Sequence, residues 1–226
     1  MNSCWTFLSY ILSDELSAYR NGRRIEKEMV SSTEKGDVSN HTAAWVSMHF
    51  GTHVDFPRHF LPDGKTVDDY EPDYFLTDKA FVTYPERLAN PHLLAVGDLD
   101  SGLKDASGDL QVLLVKTGMG RHRLDKCYWN DNIGIDEGMA EWLRSKFPEL
   151  RFLGFDFMSV SGSHYRELGR QVHRELFRHD ILPIEDMYLE PLQSGDLIEK
   201  LIISPFRVSG SEAAPVTVIA KTNKND

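Results

Sequence analysis

Long apolar runs are missing from this chain of 226 residues. No stretch approaches the roughly 20 apolar residues that a membrane-spanning helix needs, so no membrane is expected as a partner. The opening segment, "MNSCWTFLSYILSDEL", is apolar only briefly, lacks a basic region and runs straight into acids. It reads as a first strand rather than an export signal. Basic runs are missing as well. Lys and Arg number 25 against 35 Asp and Glu, a formal charge of −10, which argues against nucleic acid or an anionic membrane as partner. Cysteine is scarce: Cys4 and Cys127 lie far apart in sequence. They are expected to be free thiols in a reducing cytoplasm, and neither has a Cys partner at metal-ligand spacing.

What is present suits one globular domain. The composition is 41% hydrophobic and 27% charged, enough for one core and short for two full domains. Short β-branched or aromatic segments recur, among them "RIEKEMV", "AAWVSMHF", "AFVTYP", "LQVLLVKTG", "LRFLGFDF", "ILPIED", "LIEKLIISPF" and "APVTVIAK". "VLLV" is apolar on both faces, as a central strand should be. A helix is expected from Asp136 as N-cap, with Met139, Trp142, Leu143 and Phe147 as its apolar stripe, ending before Pro148. A second helix is expected from Tyr165 to His179. Many strands with few helices predict a single α/β domain on a mixed sheet over residues 1–220, with 221–226 as a disordered tail. The Gly-rich "TGMGRHRLDKCYWNDNIG" lacks a phosphate-loop pattern and reads as an ordinary connection.

The chemistry concentrates in "HFGTHVDFPRHF", residues 49–60, which carries His49, His53, Asp55 and His59. A helix is excluded there by Gly51, Thr52, Val54 and Pro57. In an extended chain side chains alternate, so residues 49, 53 and 55 are expected to share one face. A turn at Pro57 then brings His59 back over it. Imidazoles and a carboxylate without thiolate suit zinc or manganese, with open positions left for catalysis. Further ligands are available in "VHRELFRHDILPIED". If His173 lies on a helix, the chain climbs roughly 9 Å before reversing near His179–Asp180. A strand to Glu185 would descend roughly 13 to 16 Å, so the two side chains can end at similar height. His164 and His179 read as solvent-facing.

These motifs resemble the cyclase family of metal-dependent hydrolases, which includes bacterial kynurenine formamidases and isatin hydrolases. "HFGTHVDFPRH" meets all seven defined positions of that family's H-x-G-T-H-x-D-x-P-x-H signature. "LGFDFMSVSG" resembles its G-x-D-x-x-S segment, and "SGSEAAPVTVIAK" its closing strand, with Thr217 where arginine is usual. The resemblance implies a swivelling β/β/α fold and a homodimer or homotetramer. It also implies two divalent metal ions, Zn or Mn: His49, His53 and Asp55 would hold one, His173 and Glu185 the other, with both carboxylates bridging. His59 would stay unligated as proton donor and acceptor. A metal-activated water would then attack a small-molecule amide, N-formylkynurenine being the first candidate. An isatin-like lactam, a lactone, or a non-catalytic metal-binding protein are the alternatives. In place of the formamidases' W-P-G the chain reads "SAYRNG", which makes Tyr19 the expected substrate-binding aromatic.

Overall fold

The computed structural model describes residues 2–16, 25–85, 87–193 and 196–224. Thirteen strands and four helices are named here in chain order. The strands are β1 (Asn2–Phe7), β2 (Glu26–Ser31), β3 (His41–Trp45), β4 (His53–Asp55), β5 (Leu76–Thr77), β6 (Ala80–Thr83) and β7 (Leu93–Leu94), then β8 (Val112–Val115), β9 (Gly134–Ile135), β10 (Phe152–Phe155), β11 (Leu182–Glu185), β12 (Leu197–Pro205) and β13 (Ala213–Lys224). The helices are α1 (Val96–Leu99), α2 (Lys126–Asn130), α3 (Met139–Lys146) and α4 (Arg166–Arg178).

One mixed sheet runs β5-β12-β13-β4-β11-β10-β8-β6, and β1 joins it along β13. The four strands β11, β10, β8 and β6 are parallel, while β4 is antiparallel to both β11 and β13. The sheet curls until β6 meets β12. Two apolar cores result. Val112 and Leu114 of β8, Phe152, Ile184 and Val54 pack against Leu201, Ile203, Val218 and Ala220 of the outer strands. Leu113 and Val115 point the other way, onto Leu143 and Phe147 of the α3 segment and Val172 and Leu176 of α4. The period-2 alternation of a doubly buried strand thus separates the β/β layer from the β/α layer. The expected α/β, β/β/α architecture is what the chain adopts.

Three local expectations are corrected. β13 continues to Lys224, because β1 supplies hydrogen-bonding partners as far as Asn2. Residues 221–224, expected in a tail, are therefore rungs of the sheet. α3 begins after Gly138, whose left-handed φ of +78° makes the turn that Asp136 was expected to make. Asp136 caps only the backbone N–H of Glu137. The strand expected over 43–50 stops at Trp45, and the helix expected from Tyr165 to His179 runs from Arg166 to Arg178.

Candidate metal centre

β4 is only three residues long, yet it lies between β11 and β13. Its register sets His53 opposite Glu185 on one side and opposite Pro215 on the other. Cross-strand neighbours share a face, so His53 and Glu185 meet because of pairing rather than spacing. His53 and Asp55 lie two apart on the strand and share that face as expected. His49 does not belong to the strand. It sits in the turn before it, and Gly51, at φ +69°, reverses the chain to bring the imidazole back. A Cβ at Gly51 would also meet the end of the Leu12 side chain at 2.5 Å, but it is the positive φ that calls for glycine. His59 ends the single turn that Pro57 opens.

His173 comes from α4 and is buried against the 160s loop. Gly169, one turn earlier, has no room for a Cβ: it would lie 2.3 Å from the Ser161 Cα. That close approach seats α4, and the Gly169 carbonyl accepts from His173 Nδ1 at 2.8 Å. His53 Nδ1 makes the matching bond to the Gly51 carbonyl, also at 2.8 Å. Both rings are thereby turned so that Nε2 faces the two carboxylates.

The distances sort themselves into two sets. Asp55 Oδ1 lies 3.0 Å from His49 Nδ1 and 3.4 Å from His53 Nε2, and Glu185 Oε2 lies 3.5 Å from the same His53 atom. Asp55 Oδ2 lies 3.6 Å from His173 Nε2, which is 3.2 Å from Glu185 Oε1. Each carboxylate therefore turns one oxygen to each set. His59 Nε2 stands 3.9 Å from Asp55 Oδ2, beyond hydrogen-bond reach. The fully buried His53 Nε2 and Asp55 Oδ1 have no hydrogen-bond partner. Buried polar atoms left so are costly, and here they point at common centres. With metal–ligand bonds of about 2.0–2.2 Å, tetrahedral ligand atoms lie roughly 3.3–3.6 Å apart, close to the separations observed. The donor set fits divalent metal.

Electrostatics agree. Burial pulls His53 and His173 down, but Glu185 and Asp55 outweigh it and hold each imidazole up at about 9. Burial lifts the two acids, and the imidazoles overcome it, holding Asp55 well below the usual carboxylate range and Glu185 at about 2. His59 differs: burial dominates and lowers it. The centre favours bound cations, while His59 favours the neutral base.

The cavity above these groups holds about 560 Å³. Trp45, Phe60 and Trp129 supply aromatic wall, and Arg166 and Arg170 of α4 lie along it. A larger groove of about 940 Å³ lies elsewhere, with no histidine or carboxylate among its described lining residues. Thr217 lines that groove and not the metal cavity. Tyr19 and the rest of "SAYRNG" lie outside the described residues.

One group escaped the sequence reading altogether. Arg123, in the Gly-rich connection, is buried and ion-paired to Asp186 at 2.8 Å, with Tyr128 donating to the same carboxylate. Asp186 follows Glu185 with φ +54°, and its carbonyl accepts from Thr52 Oγ1 at 2.6 Å. This network fixes the backbone on which Glu185 stands. A lone arginine beside glycines gave no pattern by which to find it. The Asp156 of "GFDF" also proves structural: it accepts from the N–H groups of Thr117 and Gly118 at 2.8 Å each and anchors the loop leading to Arg123.

Comparison with known proteins places this geometry. Kynurenine formamidase of Bacillus anthracis is 26% identical over 221 residues, covering 97% of this chain and 98% of that protein. Kynurenine formamidase of Bacillus cytotoxicus is 26% identical over 222 residues, with 96% and 97% covered. Isatin hydrolase A from Ralstonia solanacearum shares the fold with a TM-score of 0.77 at 17% identity, over 97% of this chain and 92% of that one. A solved structure described as a potential metal-dependent hydrolase with cyclase activity superposes with a TM-score of 0.75 at 19% identity, covering 99% and 100%. The Cyclase family profile matches residues 7–161, well over half the chain. With its signature histidines and carboxylates gathered around one cavity, the chain belongs to the cyclase family of metal-dependent hydrolases.

Proposed function

We propose that this chain hydrolyses the C–N bond of a small aryl formyl amide that carries a carboxylate, of the N-formylkynurenine kind. The observation that carries the reading is the two-sided placement of Asp55 and Glu185, each with one oxygen toward His53 and the other toward His173. His49, His53 and Asp55 would hold one divalent ion and His173 and Glu185 a second, zinc or manganese, with both carboxylates shared. Such ions supply Lewis acidity toward a carbonyl oxygen and make water a nucleophile near neutral pH.

The remaining work falls to the chain. His59 Nε2 lies 3.9 Å from Asp55 Oδ2, and His49, Asp55 and His59 bring ligating atoms within 4.8 Å of one another; in this reading His59 stays unligated, accepts a proton during attack and returns it to the leaving nitrogen. A structural zinc site would be closed and would need neither that spare imidazole nor an open cavity. Phe60 and Trp129 offer faces for an aryl ring. Arg166, Arg170 and His173 fall on one face of α4, so two cations stand about 5 and 10 Å along the axis from the catalytic end. Arg170 pairs with Glu167 at 2.6 Å, and Arg166 has no ion-pair partner among the described residues. That favours a substrate bearing a carboxylate over a lactam without one, such as isatin. The same reading takes the chain as a homodimer or homotetramer.

The test is a metal-by-substrate screen. Protein stripped and reloaded with Zn or Mn is assayed on N-formylkynurenine, formanilide, isatin and an aryl lactone. N-Formylkynurenine should be preferred. Arg166→Ala with Arg170→Ala should raise KM for it by about tenfold, roughly 1.4 kcal/mol, and leave formanilide unchanged. Preference for isatin or the lactone would replace the substrate, and turnover by no metal form would remove the activity.

A further inference from the structure

A second histidine–carboxylate cluster lies outside the cavity. His92, just before β7, His164, just before α4, and Asp131, just after α2, place their ligating atoms within 4.8 Å of one another. We propose that these three residues form a separate binding site for an imidazole-preferring divalent transition metal, independent of the catalytic centre.

Three observations support it. First, the backbones bearing the ligands are fixed to one another. Gly134 N donates to the His92 carbonyl at 2.9 Å, Ser163 N to Asn132 Oδ1 at 2.7 Å, and Ile135 N to the Val160 carbonyl at 3.0 Å. Gly134 and Gly162 touch so closely that a Cβ on either would lie 2.6–2.7 Å from the other's backbone nitrogen. The ligands are thus presented by packed backbone. Second, the buried Nδ1 of His92 has no hydrogen-bond partner. It faces Asp131 Oδ1 at 3.6 Å, too far for a hydrogen bond but the right separation for two ligands of one tetrahedral ion, roughly 3.3–3.6 Å. Third, His164 Nε2 meets the same Oδ1 in a direct hydrogen bond of 2.6 Å, which an ion would replace, and the two imidazole rings stand 4.0 Å apart, so all three groups converge on one point.

Two imidazoles and one carboxylate are a zinc-type donor set, with water free to complete it because Asp131 and His164 are exposed. An ion there would clasp the segments ahead of β7 and after α2 to the loop ahead of α4. That loop also carries Ser161, whose Oγ lies 3.4 Å from His173 Nδ1. The role is to hold the loop, not to react.

Equilibrium dialysis of metal-loaded protein against zinc, followed by metal analysis, tests this. All proteins carry Cys127→Ser, because the exposed group His122, Asp125 and Cys127 could also take zinc. His92→Ala and His164→Ala should each bind one zinc per chain fewer than the parent. Zinc should raise the parent's Tm further than theirs. His53→Ala, which disrupts the catalytic centre, should retain this ion. Equal zinc content in parent and His164→Ala protein would overturn the proposal, and so would loss of the same ion in His53→Ala protein. His164 is exposed, so its replacement leaves the fold intact and the comparison valid.

Discussion

Two histidine–carboxylate clusters among the described residues stand in very different surroundings. At His53, Asp55, His173 and Glu185 every group is buried, the rings are turned by carbonyls, and two carboxylates each serve two imidazoles. At His92, Asp131 and His164 one carboxylate serves two rings at the rim, with two of the three residues exposed. Residue type alone does not tell the two clusters apart. Burial, a second carboxylate facing both imidazoles and a further imidazole beside a cavity do set them apart. The buried centre must be held in shape by its surroundings, because desolvated charges separated by even a small shift are expensive.

The strongest test of that contrast is removal of a buried ligand. His53→Ala should lose metal and cut turnover by about 10⁴-fold or more, several kcal/mol of stabilisation disappearing with the metal. Metal analysis and turnover on the same sample check it. If metal content stays at parent level, His53 is not a ligand.

His59→Ala should fall by about 10²- to 10⁴-fold in kcat while keeping its metals, the usual worth of a positioned acid–base group. Near-normal turnover would take the proton role away from His59. Loss of metal would instead make it a ligand.

The surroundings of the centre can be broken without touching a ligand. Arg123→Met leaves Asp186 buried without its ion pair and should cost about 3–5 kcal/mol of stability. Urea unfolding measures this, and a cost under about 1 kcal/mol would show that the Arg123–Asp186 pair does not brace the site.

The smallest effect is one of pH, in protein stripped of metal. His53 and His173 are held at about 9 against an ordinary 6.5, so their protonated forms favour the fold. That stabilisation is complete below about pH 6.5 and is lost as the pH rises through 9. Tm should therefore fall over that window for stripped protein and fall less with metal restored, since bound metal replaces those protons. A flat Tm from pH 6.5 to 9 in stripped protein would contradict it.

Much of the centre was legible in sequence because it is local. His53 and Asp55 share a strand face by period 2, and Pro57 supplies the turn for His59. His173 and Glu185 could be placed at similar height because a helix and the strand after it have fixed rises. His49 shows the limit of that reasoning: the expected extended strand fails at Gly51, and the imidazole reaches the centre through a left-handed turn instead. Arg123 and the 221–224 rungs were invisible, since a buried ion pair and a terminal strand pairing both depend on partners more than 60 residues away.

The sequence by itself thus determined the α/β class, the family and most of the histidines and carboxylates that gather at the cavity, all of which rest on local periodicity and a dense motif. Only the tertiary structure decided that His53 faces Glu185, that each acid turns one oxygen to His53 and one to His173, and that His92, Asp131 and His164 meet at all. Strand register and the approach of distant loops follow from burying two apolar cores at once, and no local pattern encodes that sum.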